Sequence, residues 1–298
     1  MELMGIGDEG ASTIDGQIKA AKELGWNYIE MRGVEVPGFP KSNLHEIPDD
    51  AFDIVEQKLS ESGIKVYAFG STIMNWAKTV NDPFEITLAE VGRAIPRMKR
   101  LGTKYVRIMS FKPGDEESEI PDVVFERVNE VTKRFLDEGL TCVHENCMNY
   151  GGISAEAGLQ LVERAPGLKW VFDTANPIFN ADRSKAQPWP KQDPWEFWTK
   201  IKEHVAHIHI KDCIWNPDKN DADYTFPGDG DGRVHDILKD AFKSGYDAGI
   251  SIEPHMAVVF HDSSVEASED DMYNNFIEYG RRLEKLIGEV ETEIAEEE

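Results

Sequence analysis

The sequence predicts a (β/α)8 TIM barrel, and three observations carry that prediction. Eight short apolar runs alternate with amphipathic stretches along the chain. Several of those stretches stop at a glycine followed directly by the next apolar run. The four longest connections all follow an apolar run and never an amphipathic stretch. Strands alternating with helices argue for a parallel sheet, and eight units in 298 residues favour a closed barrel, which takes about 250 residues, over an open one.

The candidate strands are Leu3–Gly7, Tyr28–Arg32, Lys65–Phe69, Tyr105–Met109, Thr141–Glu145, Lys169–Asp173, Val205–Lys211 and Gly249–Glu253. The candidate helices are Gln17–Leu24, Asp50–Glu61, Glu85–Leu101, Val123–Leu136, Ala155–Arg164, Pro194–His204, Val234–Ser244 and roughly Glu266–Ile287. Pro48, Pro83, Pro121, Ser154 and Asp193 stand at or just before helix starts, where proline and capping side chains are favoured. Gly25, Gly63, Gly102, Gly139 and Gly245 stand at helix ends, where the left-handed conformation of a C-cap is easiest for glycine. No Ser-, Gly- or Pro-rich boundary divides the chain, so one domain over 1–288 is expected, followed by an acidic tail, 289–298, read as a solvated helix end.

The composition bounds the function. The net charge of -24, from 56 acidic and 32 basic side chains, gives no basic footprint for nucleic acid. No run reaches the roughly 20 apolar residues of a membrane span. Three cysteines, Cys142, Cys147 and Cys213, lack zinc-finger spacing, and the N-terminus carries no signal-peptide pattern, so free thiols in a reducing cytoplasm are expected.

Four polar residues end the last four candidate strands: Glu145, Asp173, His209 and Glu253. A buried strand does not ordinarily end in a carboxylate. One such residue would be read as a helix cap or a loop ion pair, but four on neighbouring strands converge at one rim. Three oxygen donors and one nitrogen suit a divalent cation, Mn2+ or Mg2+ first, with Co2+ or Zn2+ as alternatives. Strand alternation puts His207, His209 and Lys211 on one side. His144 is expected to be a core residue, and His255, after Pro254, to have a role at the rim. The long connections Gly33–Pro48, Gly70–Pro83, Asn176–Asp193 and Asp212–Gly232 would lie on the catalytic face, with Trp76 and Trp215 as candidate pocket walls.

At Val171-Phe-Asp-Thr-Ala-Asn176, His207-Ile-His-Ile-Lys-Asp212, Phe226-Pro-Gly-Asp-Gly-Asp231 and Ser251-Ile-Glu-Pro-His255 the sequence resembles the xylose isomerase-like TIM barrels, specifically the sugar phosphate isomerase/epimerase superfamily and its ketose 3-epimerases. Glu30-Met-Arg32 looks like that family's early-strand pattern. The resemblance implies one divalent cation on Glu145, Asp173, His209 and Glu253, with Glu145 and Glu253 also exchanging protons with substrate. Two departures stand out. Asn176 occupies a position where those epimerases usually carry a histidine. Relatives of the AP endonuclease IV type assemble three zinc ions on additional histidines. Here only His45 precedes His144, and Asn176 and Tyr224 stand where further ligands would be, so no trinuclear site is expected.

The expected chemistry is isomerisation or epimerisation of a sugar or polyol-derived ketone through an enediolate. An inosose-type dehydratase and a non-catalytic sugar-binding barrel are the alternatives. Arg32, Asn176, Lys211 and His255 are candidate contacts to substrate hydroxyls. Lys211 has an alternative reading as an ion pair to Asp212 or Asp231, and Asp229 and Asp231 as loop-ordering residues. No glycine-rich phosphate cradle is present, so a non-phosphorylated substrate is expected. Homo-oligomers are common among the relatives.

Overall fold

A computed structural model describes residues 1–257 and 267–297. The start of the last predicted helix, Glu266, and the final Glu298 lie outside the described residues. In chain order the elements are β1 (Glu2–Gly5), α1 (Gly7–Gly10), α2 (Ile14–Glu23), β2 (Tyr28–Met31), β3 (Gly33–Val34), β4 (Ser42–Asn43), α3 (Asp49–Ser62), β5 (Lys65–Gly70), α4 (Phe84–Leu101), β6 (Tyr105–Ile108) and α5 (Asp122–Leu136). The second half holds β7 (Thr141–Glu145), α6 (Ala155–Arg164), β8 (Lys169–Asp173), α7 (Asn176–Phe179), α8 (Pro194–Ile201), β9 (Val205–Ile210), β10 (Asp212–Asn216), β11 (Asp221–Thr225), α9 (Val234–Lys243), β12 (Gly249–Ile252) and α10 (Glu269–Glu297).

Eight parallel strands form one sheet in the order β1-β12-β9-β8-β7-β6-β5-β2. Its two ends meet at a parallel bridge between Ile6 and Glu30, which nearly closes the barrel. All eight predicted strands are therefore present, within one or two residues at their ends. The helices start where their caps allow. Ser154 accepts from the Ala157 amide, and Asp193 from the Glu196 amide, each satisfying an orphan donor of the first turn. Gly63 and Gly102 end α3 and α4 at φ +76° and +66°, a conformation other residues rarely adopt, and the remaining three predicted glycine stops also have positive φ.

Strand alternation sorts the side chains into two layers. The outward set includes Val106, Ile108, Trp170, Phe172, Ile208, Ile210, Ile250 and Ile252, all fully buried under the helices. The inward set begins with an aromatic plug: Tyr67 stacks on Tyr105 at 5.3 Å and lies 5.2 Å from the His207 ring. A Cβ on Gly249 would sit 2.5 Å from the Tyr67 ring and 2.8 Å from His207, so the plug requires glycine there. Above it the inward positions turn polar, and that change of character locates the site.

The structure also fills the long predicted connections. β3–β4 lies within 33–48, α7 within 176–193 and the β10–β11 hairpin within 212–232. At the other end, α10 continues unbroken through the acidic segment to Glu297. Val290 is buried there, and Lys239 pairs with Glu293 and Glu297.

Candidate metal and substrate site

The strands β7, β8, β9 and β12 are neighbours, and their C-terminal ends bring Glu145, Asp173, His209 and Glu253 together. One donor atom from each lies within 4.8 Å of the other three. Ligand bonds to hard divalent ions are roughly 2.0–2.6 Å, so donors around one ion lie no more than about twice that apart. The set meets this limit. His209 Nδ1 is buried, has no hydrogen-bond partner, and faces Glu145 Oε1 at 3.9 Å and Glu253 Oε2 at 3.7 Å. A buried polar atom left in this way, aimed at two carboxylates, fits a cation between them.

Each member is held by its surroundings. Asp173 Oδ1 accepts the amides of Ala175 and Asn176 at the turn into α7, which leaves its other oxygen for the site. Its Oδ2 faces Lys211 Nζ at 2.9 Å. Arg107, inside β6, donates to Glu145 Oε2 at 2.8 Å, and Asn176 donates to Glu145 Oε1 at 3.1 Å. Arg32, just past β2, is a three-way fork, reaching Glu253 Oε1 at 2.8 Å, Glu9 Oε1 at 2.8 Å and Asp8 Oδ1 at 3.0 Å. His209 Nε2 and His207 Nε2 both donate to Glu30 Oε2, at 2.9 and 2.8 Å.

The electrostatics follow from burial and these partners. Burial acts most strongly on Asp173, raising its pKa to about 6, with Glu253 and Glu145 adding to the rise and Lys211 opposing it. Burial also pushes Glu145 up, but Arg107 and His209 outweigh it and bring the carboxyl down to about 2. Glu253 is held well below the ordinary range against burial, by Lys211, His255 and Arg32. Burial pulls His209 down, yet Glu30 and Glu145 hold it up at about 10. Five carboxylates (Asp8, Glu9, Glu145, Asp173, Glu253) thus share three permanent cations, Arg32, Arg107 and Lys211, while Glu30 faces His207 and His209. The surplus is negative, as a divalent cation site needs.

Above the four residues opens a cavity of about 330 Å3, within the small-molecule range. Its floor includes Arg32, Arg107, Glu145, Asn176, Lys211 and Glu253, and its walls Trp76, Met109, Met148 and Phe179. Asp173 and His209, both fully buried, lie beneath that floor. His255 also lines the cavity; its backbone is left-handed (φ +51°), its amide donates to Glu9 Oε2, and its Nδ1 lies 3.0 Å from Glu9 Oε1.

Several expectations are corrected. Trp215 does not line this cavity; it packs in β10 beside Cys213 and Tyr224, with Lys191 over its ring at 3.6 Å. Its strand belongs to the β10–β11 hairpin, where Trp215 pairs with Ala222. Lys211 pairs with Asp173 and Glu253, not with Asp212 or Asp231. Asp229 and Asp231 help order the loop, through Arg282 at 3.5 Å from Asp229 Oδ2 and through the Asp231 amide donating to the Cys213 carbonyl, and Asp212 is the hub of that loop. Its carboxylate accepts the amides of Cys213, Gly228, Gly230 and Gly232 at 2.8–3.0 Å. A Cβ on Gly230 would meet that carboxylate at 2.4 Å, which explains why the Lys-Asp motif and the distant Gly-Asp-Gly-Asp motif occur together. His144 faces outward as expected, 4.7 Å from the Trp170 ring, and burial lowers its pKa to about 3.

Asp8, Glu9 and Arg107 were not singled out from sequence. An arginine inside the apolar run Tyr105–Ile108 was a readable signal; Asp8 and Glu9, on the single turn α1, gave none. Two further acid–histidine groups flank the main set, Glu30–His207–His209 and Glu9–Glu253–His255. The first has its Oε2 saturated by two ring N–H groups, and Arg32 already bridges the carboxylates of the second.

An eight-stranded parallel barrel with an acid–histidine cluster at its C-terminal rim defines the class: a TIM barrel with a candidate site on the face where such barrels carry theirs. A sequence profile of the xylose isomerase-like TIM barrel family matches residues 18–273, and the chain belongs to that family. No significant sequence match to a curated protein was found. Solved structures with the same fold include a xylose isomerase-like TIM barrel protein from Mycobacterium smegmatis in complex with magnesium (16% identity, TM-score 0.66, 96% of this chain and 97% of that one). The D-allulose 3-epimerase from Methylomonas sp. in complex with D-allulose is similar (13%, 0.64, 95% and 96%). So is the probable 3-DHS dehydratase involved in petrobactin synthesis from Bacillus anthracis (13%, 0.65, 93% and 97%). At these identities the likeness is one of fold.

Proposed function

We propose that the protein is a divalent-metal-dependent isomerase or epimerase of a small, non-phosphorylated polyhydroxy carbonyl compound. The observation that carries this reading is the convergence of Glu145, Asp173, His209 and Glu253 within 4.8 Å beneath an open cavity. Those four residues would hold the ion, with Mn2+ or Mg2+ the best match to the donor set. When bound, the ion supplies Lewis-acid polarisation of a substrate carbonyl, which acidifies the adjacent C–H.

The chain's own residues do the rest. Glu145 and Glu253 come from strands on either side of β8 and β9 and present oxygens toward the cavity, where one removes the proton and the other returns it. Return to the opposite face of the same carbon is epimerisation; return to the neighbouring carbon is aldose–ketose isomerisation. Arg107 and Arg32 fix the two carboxylates and hold the one that acts as base ionised; epimerisation needs the other to start the cycle protonated, whereas isomerisation needs only one, which carries the abstracted proton to the neighbouring carbon. Lys211 and Asn176 lie where they donate to the oxygens of an enediolate, and His255 reaches a distal hydroxyl. Trp76, Met109 and Phe179 give the cavity an apolar wall against which the substrate's carbon skeleton packs. We place this machinery in a single catalytic domain, 1–288, with 289–298 as its acidic extension.

The likeness in fold to a dehydratase supports a second reading, in which the same proton abstraction is followed by loss of a β-hydroxyl protonated by His255. Incubation with candidate ketoses and inososes in deuterated water separates the readings. An isomerase or epimerase incorporates deuterium with no loss of water, a dehydratase yields a dehydrated product, and a sugar-binding barrel without activity leaves every substrate unlabelled.

A further inference from the structure

Glu30 is buried at the barrel seam, 1% exposed, and the metal site as described has no place for it. Its Oε2 is the meeting point of two imidazoles, 2.8 Å from His207 Nε2 and 2.9 Å from His209 Nε2. A carboxylate only accepts, so each ring puts an N–H there. For His209 this fixes which nitrogen is left: Nδ1, buried without a hydrogen-bond partner, faces Glu145 and Glu253 at 3.9 and 3.7 Å. His207 cannot change places with it. Its own Nδ1 lies 2.9 Å from the Gly249 carbonyl oxygen, and its ring is wedged against Tyr67 at 5.2 Å and perpendicular to His209 at 5.1 Å.

We infer that Glu30 is a positioning residue: it anchors His209 through Nε2 so that Nδ1 is the atom offered to the cation, while His207 braces the same oxygen from below. This rests on the metal reading proposed above. A carboxylate behind a metal-binding imidazole fixes the ring's orientation and raises its basicity as a ligand, and losing such a partner costs about 10–100-fold in affinity. Glu30 comes from β2, across the barrel from β9, so the contact also ties the seam to the metal half of the ring.

The test has two parts on the full chain. In the first, wild-type protein labelled with 15N-histidine is loaded with Zn2+, a diamagnetic probe, and its ring nitrogens are assigned by NMR. The expected result is a protonated Nε2 and a metal-shifted Nδ1 on His209; metal on Nε2 overturns the inference while leaving a metal site in place. In the second, Zn2+ and Mn2+ affinities are measured by calorimetry for wild type, Glu30→Gln and Glu30→Ala, with melting temperatures alongside. Kd is expected to rise about 10–100-fold in Glu30→Ala and less in Glu30→Gln, which keeps one acceptor. A lowered melting temperature with unchanged Kd assigns Glu30 a structural part only and overturns the inference. Wild type that binds neither ion overturns both this inference and the metal reading.

Discussion

The two halves of the barrel rim carry opposite chemistry. The half made by β7, β8, β9 and β12 presents the four donors Glu145, Asp173, His209 and Glu253. The half made by β2 and β6 presents two guanidiniums, Arg32 and Arg107, which reach across to Glu253 and Glu145. The difference teaches how a buried cluster of carboxylates persists in a folded protein. Carboxylates at hydrogen-bonding range repel or take up protons unless paired, and here the opposite half supplies the pairing at the oxygens not facing the proposed ion. Among the three carboxylates of the set, Asp173 alone has no guanidinium, only Lys211, and it is the one whose pKa rises.

Removing a donor should therefore matter most. Asp173→Ala is expected to weaken divalent binding by more than the roughly 100-fold limit seen for outer-sphere changes, and to abolish turnover. Retained affinity measured by calorimetry would move the site elsewhere. Next in size come the supports. Arg107→Met or Arg32→Met leaves a buried carboxylate unpaired, a loss of about 3–5 kcal/mol in the metal-free protein. Because a bound ion re-pairs that carboxylate, adding Mn2+ should recover part of the lost melting temperature. Equal losses with and without metal would break the division of labour between the two halves.

Protons give the third test. In the metal-free protein Asp173 sits at about 6 and His209 at about 10, and both must lose a proton to ligate. Affinity should therefore rise with pH, by about tenfold per unit between 6 and 10, where His209 alone releases a proton, and more steeply below 6. A flat pH profile contradicts these assignments. A smaller effect is expected at Lys211, whose ammonium lies 2.9 Å from Asp173 and 3.2 Å from Glu253. Lys211→Met removes a competing positive charge, so metal should bind several-fold tighter while turnover falls. Weaker binding in that variant would show that Lys211 props the ligands apart and does not compete with the ion.

Much of this half-and-half design was legible in the sequence, for a physical reason. Buried strands in parallel barrels are nearly all apolar, so Glu145, Asp173, His209 and Glu253 stood out, and the glycine stops marked the units between them. The supporting half was harder to read. Arg32 was visible as a strand-end charge, but its three partners come from the single turn α1 and from Glu253, 221 positions away, and no local pattern encodes that fork. Trp215 was misplaced because a long connection hid a hairpin, and which way a hairpin turns an aromatic ring is set by packing, here against Lys191. Asp212 looked like an ion-pair partner; its role as acceptor for four amides needs the loop in three dimensions.

The most direct measurement of the central claim is the stoichiometry of divalent binding to chelator-stripped protein, by calorimetry with Mn2+, for wild type and Asp173→Ala side by side. The account predicts one ion per chain for wild type and none for the variant. Wild type that takes up no ion at millimolar Mn2+, or a variant that binds as well as wild type, contradicts it.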